Sequence, residues 1–347
     1  MDTAGDGAQR SSTVDAVRTE VLVVGGGISG IACARALVAA GVPVRVFERS
    51  HRVGGRMASR PLPEGGVHLV DLGAAYFTVR DDEFAGVVEG WRGRGLAVPW
   101  TDTLASREAD GSWSSKAGPE RWCAPGGLRS LVADLAEDVP VSTGHTVTAV
   151  EPGPAVDGIP ACAVVLAMPD PQAARLLHPA LRAGALVAGR EWNPVVSVAL
   201  GYGHRSWERL PIPGSSSAPL RLRAAFVNGH PDVDLLADDG DRRGDHAPVL
   251  VAHTTAERAR RHLDDPEGAV PPVVAAVTGL LDLDDAPAWT HAHRWTYASP
   301  ARPHEEEFVL TDDLVGLCGD GWGSPKVETA WRSGTLLGRA IAARVVC

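Results

Sequence analysis

The sequence predicts an α/β fold in which a Rossmann-type dinucleotide-binding domain is interrupted by an α+β domain with a mixed sheet. Three observations carry this reading. A short apolar strand, a glycine-rich turn, an alanine-rich helix and a second apolar strand follow one another near the start. A strand, a Gly-Asp-Gly turn and a helix recur at the end of the chain. Between these two units lie strands that fit neither pattern and read as a second sheet.

The elements are justified in order. Val21-Leu22-Val23-Val24 is a continuous apolar run, as expected of a strand buried on both faces. Residues 31–40 are Ala-rich with a helical pattern, Gly41-Val42-Pro43 ends them, and residues 44–47 are a second apolar strand. Strand, turn, helix, turn and strand together form the unit that builds a parallel sheet. Residues 81–95 read as a helix with Phe84, Val87, Val88 and Trp91 on one face. Residues 106–119 are polar and Gly-rich, a hairpin or loop, and residues 128–135 form a helix after Gly126-Gly127. Residues 147–150 and 163–167 read as strands, and residues 194–200 and 248–252 as strands of the second sheet. Residues 255–263 and 270–281 look helical. Residues 209–220 are Pro/Ser-rich without usable period, hence a loop. Residues 314–318 form a strand and 327–346 the last helix. The cofactor domain therefore comprises residues 19–77, 122–168 and 308–347, and the second domain residues 78–121 and 169–307. Residues 1–18 are a polar, flexible leader without the apolar core of a signal peptide.

Composition narrows the function classes. The chain has 347 residues, 44% hydrophobic and 22% charged, which excludes a mostly disordered chain. With only 18 aromatic residues, its core must rest on Val, Leu and Ala. The net charge of −10, without a block of like charge, argues against a nucleic-acid surface. Of the 33 basic residues only Lys116 and Lys326 are lysine, which limits any chemistry that needs one. Five scattered cysteines without a CxxC pair, and no apolar run long enough to span a bilayer, point to a cytoplasmic protein.

The motifs carry the chemistry. Gly25-Gly26-Gly27-Ile28-Ser29-Gly30 contains G-x-G-x-x-G between a strand and a helix. Gly25 serves the tight turn, Gly27 the approach of a diphosphate and Gly30 close helix–strand packing, while the helix N-terminus around Ile28 and Ser29 offers its N–H groups. Glu48 ends the second strand 21 positions after Gly27, where a carboxylate accepts ribose hydroxyls. Arg49 follows it, and Gly54-Gly55-Arg56-Met57 adds a second backbone turn and a cation near the same diphosphate. Asp320 ends the last strand, and Pro325-Lys326-Val327-Glu328 opens the last helix, whose N-terminus can stabilise negative charge.

These motifs, with Asp71-Leu72-Gly73-Ala74-Ala75-Tyr76-Phe77-Thr78, Pro125-Gly126-Gly127, Val165-Leu166-Ala167-Met168-Pro169, Trp192-Asn193-Pro194, Val251-Ala252-His253-Thr254-Thr255 and His293-Arg294-Trp295-Thr296-Tyr297-Ala298, resemble the renalase-like branch of the flavin-containing amine oxidase superfamily. The resemblance spans nearly the whole chain after residue 20. It implies an amine-oxidase-like and glutathione-reductase-like cofactor domain holding FAD in extended form. The implied cofactor contacts are Gly25, Gly27, Ile28, Ser29, Gly30, Glu48, Arg49, Gly55, Arg56, Met57, Val147, Asp320, Lys326 and Val327, with Gly73, Ala74 and Ala75 at the flavin ring. Ser333-Gly334-Thr335 stands where a covalently attached flavin would need cysteine, so the resemblance implies noncovalent FAD. The chain departs from the branch at Leu72 and Ala75, where relatives carry His and Gln, and in the short segment 151–160.

The implied activity is oxidation of 2- or 6-dihydro isomers of NAD(P)H to NAD(P)+, with dioxygen becoming hydrogen peroxide. That reaction needs no general base, because the ring nitrogen expels a hydride and the product is aromatic. Amine oxidation is the rival reading, weakened by the scarcity of lysine. A dehydrogenase or desaturase of a specialised metabolite, a nicotinamide-dependent dehydrogenase and a nonenzymatic nucleotide sensor also stay open. Trp295 and Tyr297 share a strand face and either meet the substrate or pack between domains. Trp192 and His253 are further candidates for the substrate face. His291 and His293 also share a face, but no third ligand for a metal is evident, and no metal is expected.

Overall fold

The computed structural model describes residues 20–209, 212 and 221–345. The expected leader lies outside them, as does nearly all of the loop expected over residues 209–220.

Two sheets organise the chain. The first has six strands in the order Val309–Leu310, Val315–Leu317, Ala163–Leu166, Val21–Val24, Val44–Glu48 and Val141–Thr143. All neighbours are parallel except the Val309–Leu310 edge. Its central strand explains why the first apolar run lacks alternation. Val21 and Val23 enter the core beneath the helices Ile28–Ala39, Leu128–Leu135 and Val327–Ala342, while Leu22 and Val24 enter the core on the opposite face. All four residues are therefore shielded from water.

The second sheet has eight strands in the order Trp289–Pro300, Trp192–Gly201, Val249–Thr254, Val233–Asp238, Ala224–Val227, Val98–Arg107, Trp113–Cys123 and Phe77–Thr78. It is antiparallel apart from the Ala224–Val227 and Val98–Arg107 pair, hence mixed as expected. Val196, Val198, Leu200, Leu250 and Ala252 point to one face, against the helix Val270–Leu281. Ala199, Val249 and Val251 point to the other, against Leu62, Val70 and Leu72. Phe77 and Trp122, grouped by the sequence with the cofactor part, pair at the edge of this sheet. The chain crosses between the two sheets there.

Local differences have local causes. The expected strand over residues 147–150 shrinks to Val150–Glu151 because the Asp157 carboxylate accepts the backbone N–H of Thr148 and Ala149. Those donors are served by a side chain instead of a ladder. Residues 150–160 form a small three-stranded sheet of their own. The polar stretch 106–119 is the end and return of the hairpin Val98–Arg107 and Trp113–Cys123. The helix expected at 81–95 spans Asp82–Gly93, with Asp81 as its N-cap accepting Phe84 N–H at 2.9 Å. The last helix ends at Ala342. Cys33, Cys123 and Cys318 are free and buried, whereas Cys162 is disulfide-bonded, which the reading of the scattered cysteines as those of a cytoplasmic protein did not anticipate.

The first and last helices touch backbone to backbone. A Cβ on Gly334 would stand 1.9 Å from the Ser29 carbonyl oxygen. Gly334→Ala is therefore expected to cost about 2–3 kcal/mol, because backbone cannot yield as a side chain can. Gly279, inside the helix Val270–Leu281, has open space around its missing Cβ. Gly279→Ala is expected to be neutral or stabilising by up to about 1 kcal/mol. Urea denaturation of the two variants checks the contrast.

Candidate cofactor and substrate site

The glycine turn joins Val21–Val24 to Ile28–Ala39 with little room to spare. Gly25 has φ +114°, and a Cβ on Gly30 would lie 2.0 Å from the Gly25 carbonyl oxygen. No side chain caps this helix and no acidic residue enters its first turn, so its positive end is unopposed. Gly55 comes against the same turn: its Cβ would lie 3.2 Å from the Gly27 Cα. The Glu48 carboxylate is buried at the end of its strand, accepting N–H from Gly26 at 2.7 Å and from Ser50 at 2.8 Å. Arg49 is exposed next to it, and Val147 packs with Phe47 beneath. This backbone-lined turn, uncapped helix and fixed carboxylate fit a dinucleotide.

A second group forms where the last strand ends. Arg56 makes a two-pronged bond to Asp320, at 2.6 and 2.8 Å, and a third bond to the Ala298 carbonyl at 3.0 Å. Its guanidinium lies 5.1 Å from the Trp192 ring centroid. Arg56 thus ties the glycine segment, the last strand of the first sheet and the Trp289–Pro300 strand of the second. Met57, the next residue, is buried in the core. Lys326 is exposed and leads into Val327, the first residue of the last helix, which has no side-chain cap.

Trp192 does not lie with the other aromatic candidates. It is buried and donates to Asp170 at 2.8 Å. Asp170 also bonds His304 Nε2 at 2.9 Å, and His304 stacks on Trp322 with 3.7 Å between centroids. Arg190 meets His304 Nδ1 at 2.5 Å, which leaves the proton of a neutral ring on Nε2, facing the carboxylate. This cluster backs the Gly319–Trp322 turn that presents Asp320. Sequence reading missed Asp170 and His304, which are 134 positions apart.

The segment 71–76 crosses between the sheets. A Cβ on Gly73 would collide with the Arg56 carbonyl oxygen at 1.8 Å, and Ala74 N–H bonds that same oxygen at 2.9 Å. Arg242, 1% exposed, holds the segment from the other side. It donates to the Ala75 carbonyl at 2.7 Å and the Asp71 carbonyl at 3.1 Å, and it pairs with the Asp239 carboxylate. Asp71 in turn accepts Ser59 Oγ–H and the Leu128 N–H. Burial pushes the Asp71 carboxyl upward, an effect that the Arg242 charge opposes. No pattern in the sequence pointed to Arg242.

Trp295 donates its indole N–H to the Leu72 carbonyl at 2.8 Å. His293 stands edge-on to it, with 4.3 Å between centroids. Ladder register sets His293, Ser197 and His253 side by side on adjacent strands. Tyr297, further along, is engaged by Arg175. So Trp295 and His253 share one face with Leu72, His293 and Ser197, whereas Trp192 stays behind Arg56. His253 is pushed down to about 4 by burial and then by the Arg242 charge. His293 is pushed down to about 4 by burial first, and then by Arg60, His291, Arg129 and Arg294. Both rings are neutral at physiological pH. Among the described residues no group of three metal-binding side chains gathers. Lys116 is exposed on its hairpin strand, away from this face.

Comparison with known proteins agrees with this geometry. A family model of NAD(P)-binding Rossmann-like domains matches residues 23–88, and one of flavin containing amine oxidoreductases matches residues 93–337. The chain is similar to a wild-type putrescine oxidase structure bound to putrescine, with 15% identity and a TM-score of 0.70, covering 94% of this chain and 99% of that one. It is equally similar to cyclohexylamine oxidase from Brevibacterium oxydans IH-35A, with 16% identity, a TM-score of 0.70 and the same coverage. At such identities the likeness is one of fold.

Two outcomes test the site. Arg242→Met leaves Asp71 without its buried cation and Asp239 with Arg243 alone, and is expected to cost about 3–5 kcal/mol, with loss of flavin on gel filtration. The histidines give a pH signature. Their folded pKa lies below the unfolded value of about 6.5, so the unfolded chain takes up protons first. Stability is lost as pH falls from about 6.5 to about 4. The His253→Gln/His293→Gln double variant is expected to lose less thermal stability than the parent across that window.

Proposed function

We propose, from the premise that this chain belongs to the flavin containing amine oxidoreductase family and is an FAD-dependent oxidoreductase, that its substrate is a 2- or 6-dihydro isomer of NAD(P)H. The substrate loses a hydride and becomes NAD(P)+. With one proton from solvent, dioxygen leaves as hydrogen peroxide. FAD, when bound, would supply the hydride acceptor and the route of the electrons to dioxygen.

The chain's own residues do the holding. Gly25, Gly27, Ile28, Ser29 and Gly30, with Gly55, Arg56 and Met57, serve the FAD diphosphate, whose charge suits an uncapped helix and a guanidinium. Glu48 takes the ribose hydroxyls, with Arg49 and Val147 on the adenosine side. Asp320 serves the ribityl chain, and Lys326 and Val327 bring the last helix to the flavin pyrimidine edge. Gly73, Ala74 and Ala75 form the wall beside the ring, pinned by Arg56, Trp295 and Arg242. The FAD is held noncovalently, since Ser333 is committed to the Gly319 N–H at 3.0 Å and Gly334 to its contact with the first helix.

One observation carries the choice of substrate. The face around Trp295 bears His291, His293, Ser197, Ala199, Val251 and His253, and on these three strands the register puts no lysine or carboxylate among them. His253 and His293 are depressed by burial first and then by arginines, while Glu64 and Glu267 act on His291 from outside the face. Such surroundings penalise a cation, and an amine arrives as one. A dihydronicotinamide has a neutral ring and needs no base. What it requires is a fixed pose and exclusion of water, which Trp295 and the wall at 72–75 supply.

The test is anaerobic bleaching of the bound flavin. Borohydride-reduced NAD, which contains 2-, 4- and 6-dihydro isomers, is expected to bleach it within seconds, and purified 4-dihydro-NADH is not. A yellow protein that the mixture leaves unbleached defeats the proposal. Bleaching by putrescine or cyclohexylamine instead moves the assignment to amine oxidation.

A further inference from the structure

We propose that Arg52, Arg60 and Arg129 form a subsite for the diphosphate of the dinucleotide substrate; this rests on the dihydronicotinamide reading and adds a second anionic site beside that of FAD. Many arginines of this chain pair with carboxylates, Arg56, Arg94, Arg205, Arg242, Arg258 and Arg332 among them. Among the described residues, Arg52, Arg60 and Arg129 join no carboxylate in an ion pair. They lie within electrostatic reach of one another: the Arg129 guanidinium is held below its ordinary range by burial and then by the charges of Arg52 and Arg60, against the opposing carboxylates of Asp71 and Glu48. Its Nε is buried without a hydrogen-bond partner, and its NH1 reaches only the Val53 carbonyl, at 3.3 Å.

Backbone contacts assemble the three. The Arg129 stem covers Gly54, whose Cβ would stand 3.0 Å from Arg129 Cγ, two residues from Arg52. The Arg129 N–H bonds Ser59 Oγ at 3.2 Å, next to Arg60. In the Ser59–Leu62 and His68–Asp71 hairpin, Arg60 pairs with Val70, which packs in one apolar cluster with Trp289 and Trp295. Arg60 therefore leaves the hairpin toward the Trp289–Pro300 strand, where its charge reaches His291 and His293. The cluster borders the face on which the nicotinamide ring would lie. Three guanidiniums that share no ion-paired carboxylate repel one another, and an anion with several oxygens relieves this. Guanidinium forks match phosphate oxygens in pairs.

The test uses FAD-loaded enzyme, so that the cofactor's own diphosphate site is filled. Calorimetric titration with ADP-ribose and with inorganic pyrophosphate is run on the parent, Arg60→Gln and Arg129→Gln. Each variant is expected to weaken ADP-ribose binding about tenfold, the loss of one charge-assisted hydrogen bond. In parallel, kcat/KM is measured for reduced NAD and for the phosphate-free 1-methyl dihydronicotinamides. The ratio of the two is expected to fall about tenfold in each variant, through KM. No ADP-ribose binding, or equal binding by all three proteins, overturns the subsite. Pyrophosphate binding without ADP-ribose binding overturns it as well, since it marks a free-phosphate site. If reduced NAD bleaches and the ratio does not move, the subsite falls while the substrate reading stands. If nothing bleaches but ADP-ribose binding depends on Arg60 and Arg129, the subsite stands and the substrate reading falls. Should Arg129→Gln fail to retain FAD, Arg60→Gln, on an exposed side chain, decides alone.

Discussion

The fully buried guanidinium of Arg242 is the interaction on which the arrangement of the two sheets depends. It satisfies two carbonyls of the segment 71–76 and one carboxylate of its own helix, Asp239–Arg243, and it neutralises the field at Asp71. Neither carboxylate would tolerate such burial alone. Because Asp71 simultaneously accepts the first N–H of the helix Leu128–Leu135, a single charge network fixes a helix of the first sheet, the crossing segment and a helix of the second. Gly73 and Trp295 then have one position each relative to Arg56. This wall is rigid because the carbonyl oxygens of Asp71, Leu72 and Ala75 are already committed.

That wall also explains the electrostatic character of the site. The same Arg242 that anchors Ala75 is felt at His253, and Arg60 and Arg129 are felt at His293. Both histidines remain uncharged donors and acceptors, suited to an amide or a hydroxyl rather than to proton abstraction. The departures at Leu72 and Ala75 point the same way. Leu72 is fully buried against Val249, Val251 and Trp295, and Ala75 against Trp100 and Leu104, so both positions spend their side chains on packing. Polar groups there would need partners that the surrounding cores do not offer.

Much of this was legible in the sequence where the signal is local. Residues 21–48 announce themselves by a run, a turn and a carboxylate whose spacing is set by one strand–helix–strand unit. Asp320 and Lys326 stand out for the same reason. Strand alternation puts Trp295 and Tyr297 on one face without saying that it turns toward the crossing segment at Leu72. It could not tell that Trp192, at the start of its strand, is captured by Asp170. The partners of Arg242 lie 167 and 171 positions away, and no period connects them. The strand expected at 147–150 failed because Asp157 competes for its N–H groups.

The contact between Ile28–Ala39 and Val327–Ala342 has a consequence for how the protein comes into being. The two helices stand near opposite ends of the described residues. Ser29 and Gly334 meet only when both have left the ribosome. Since chains emerge from their N-terminus over many seconds, the glycine turn is made well before the helix that packs against Ile28–Ala39. Any step that depends on this contact therefore waits for residues 327–342 to be synthesised.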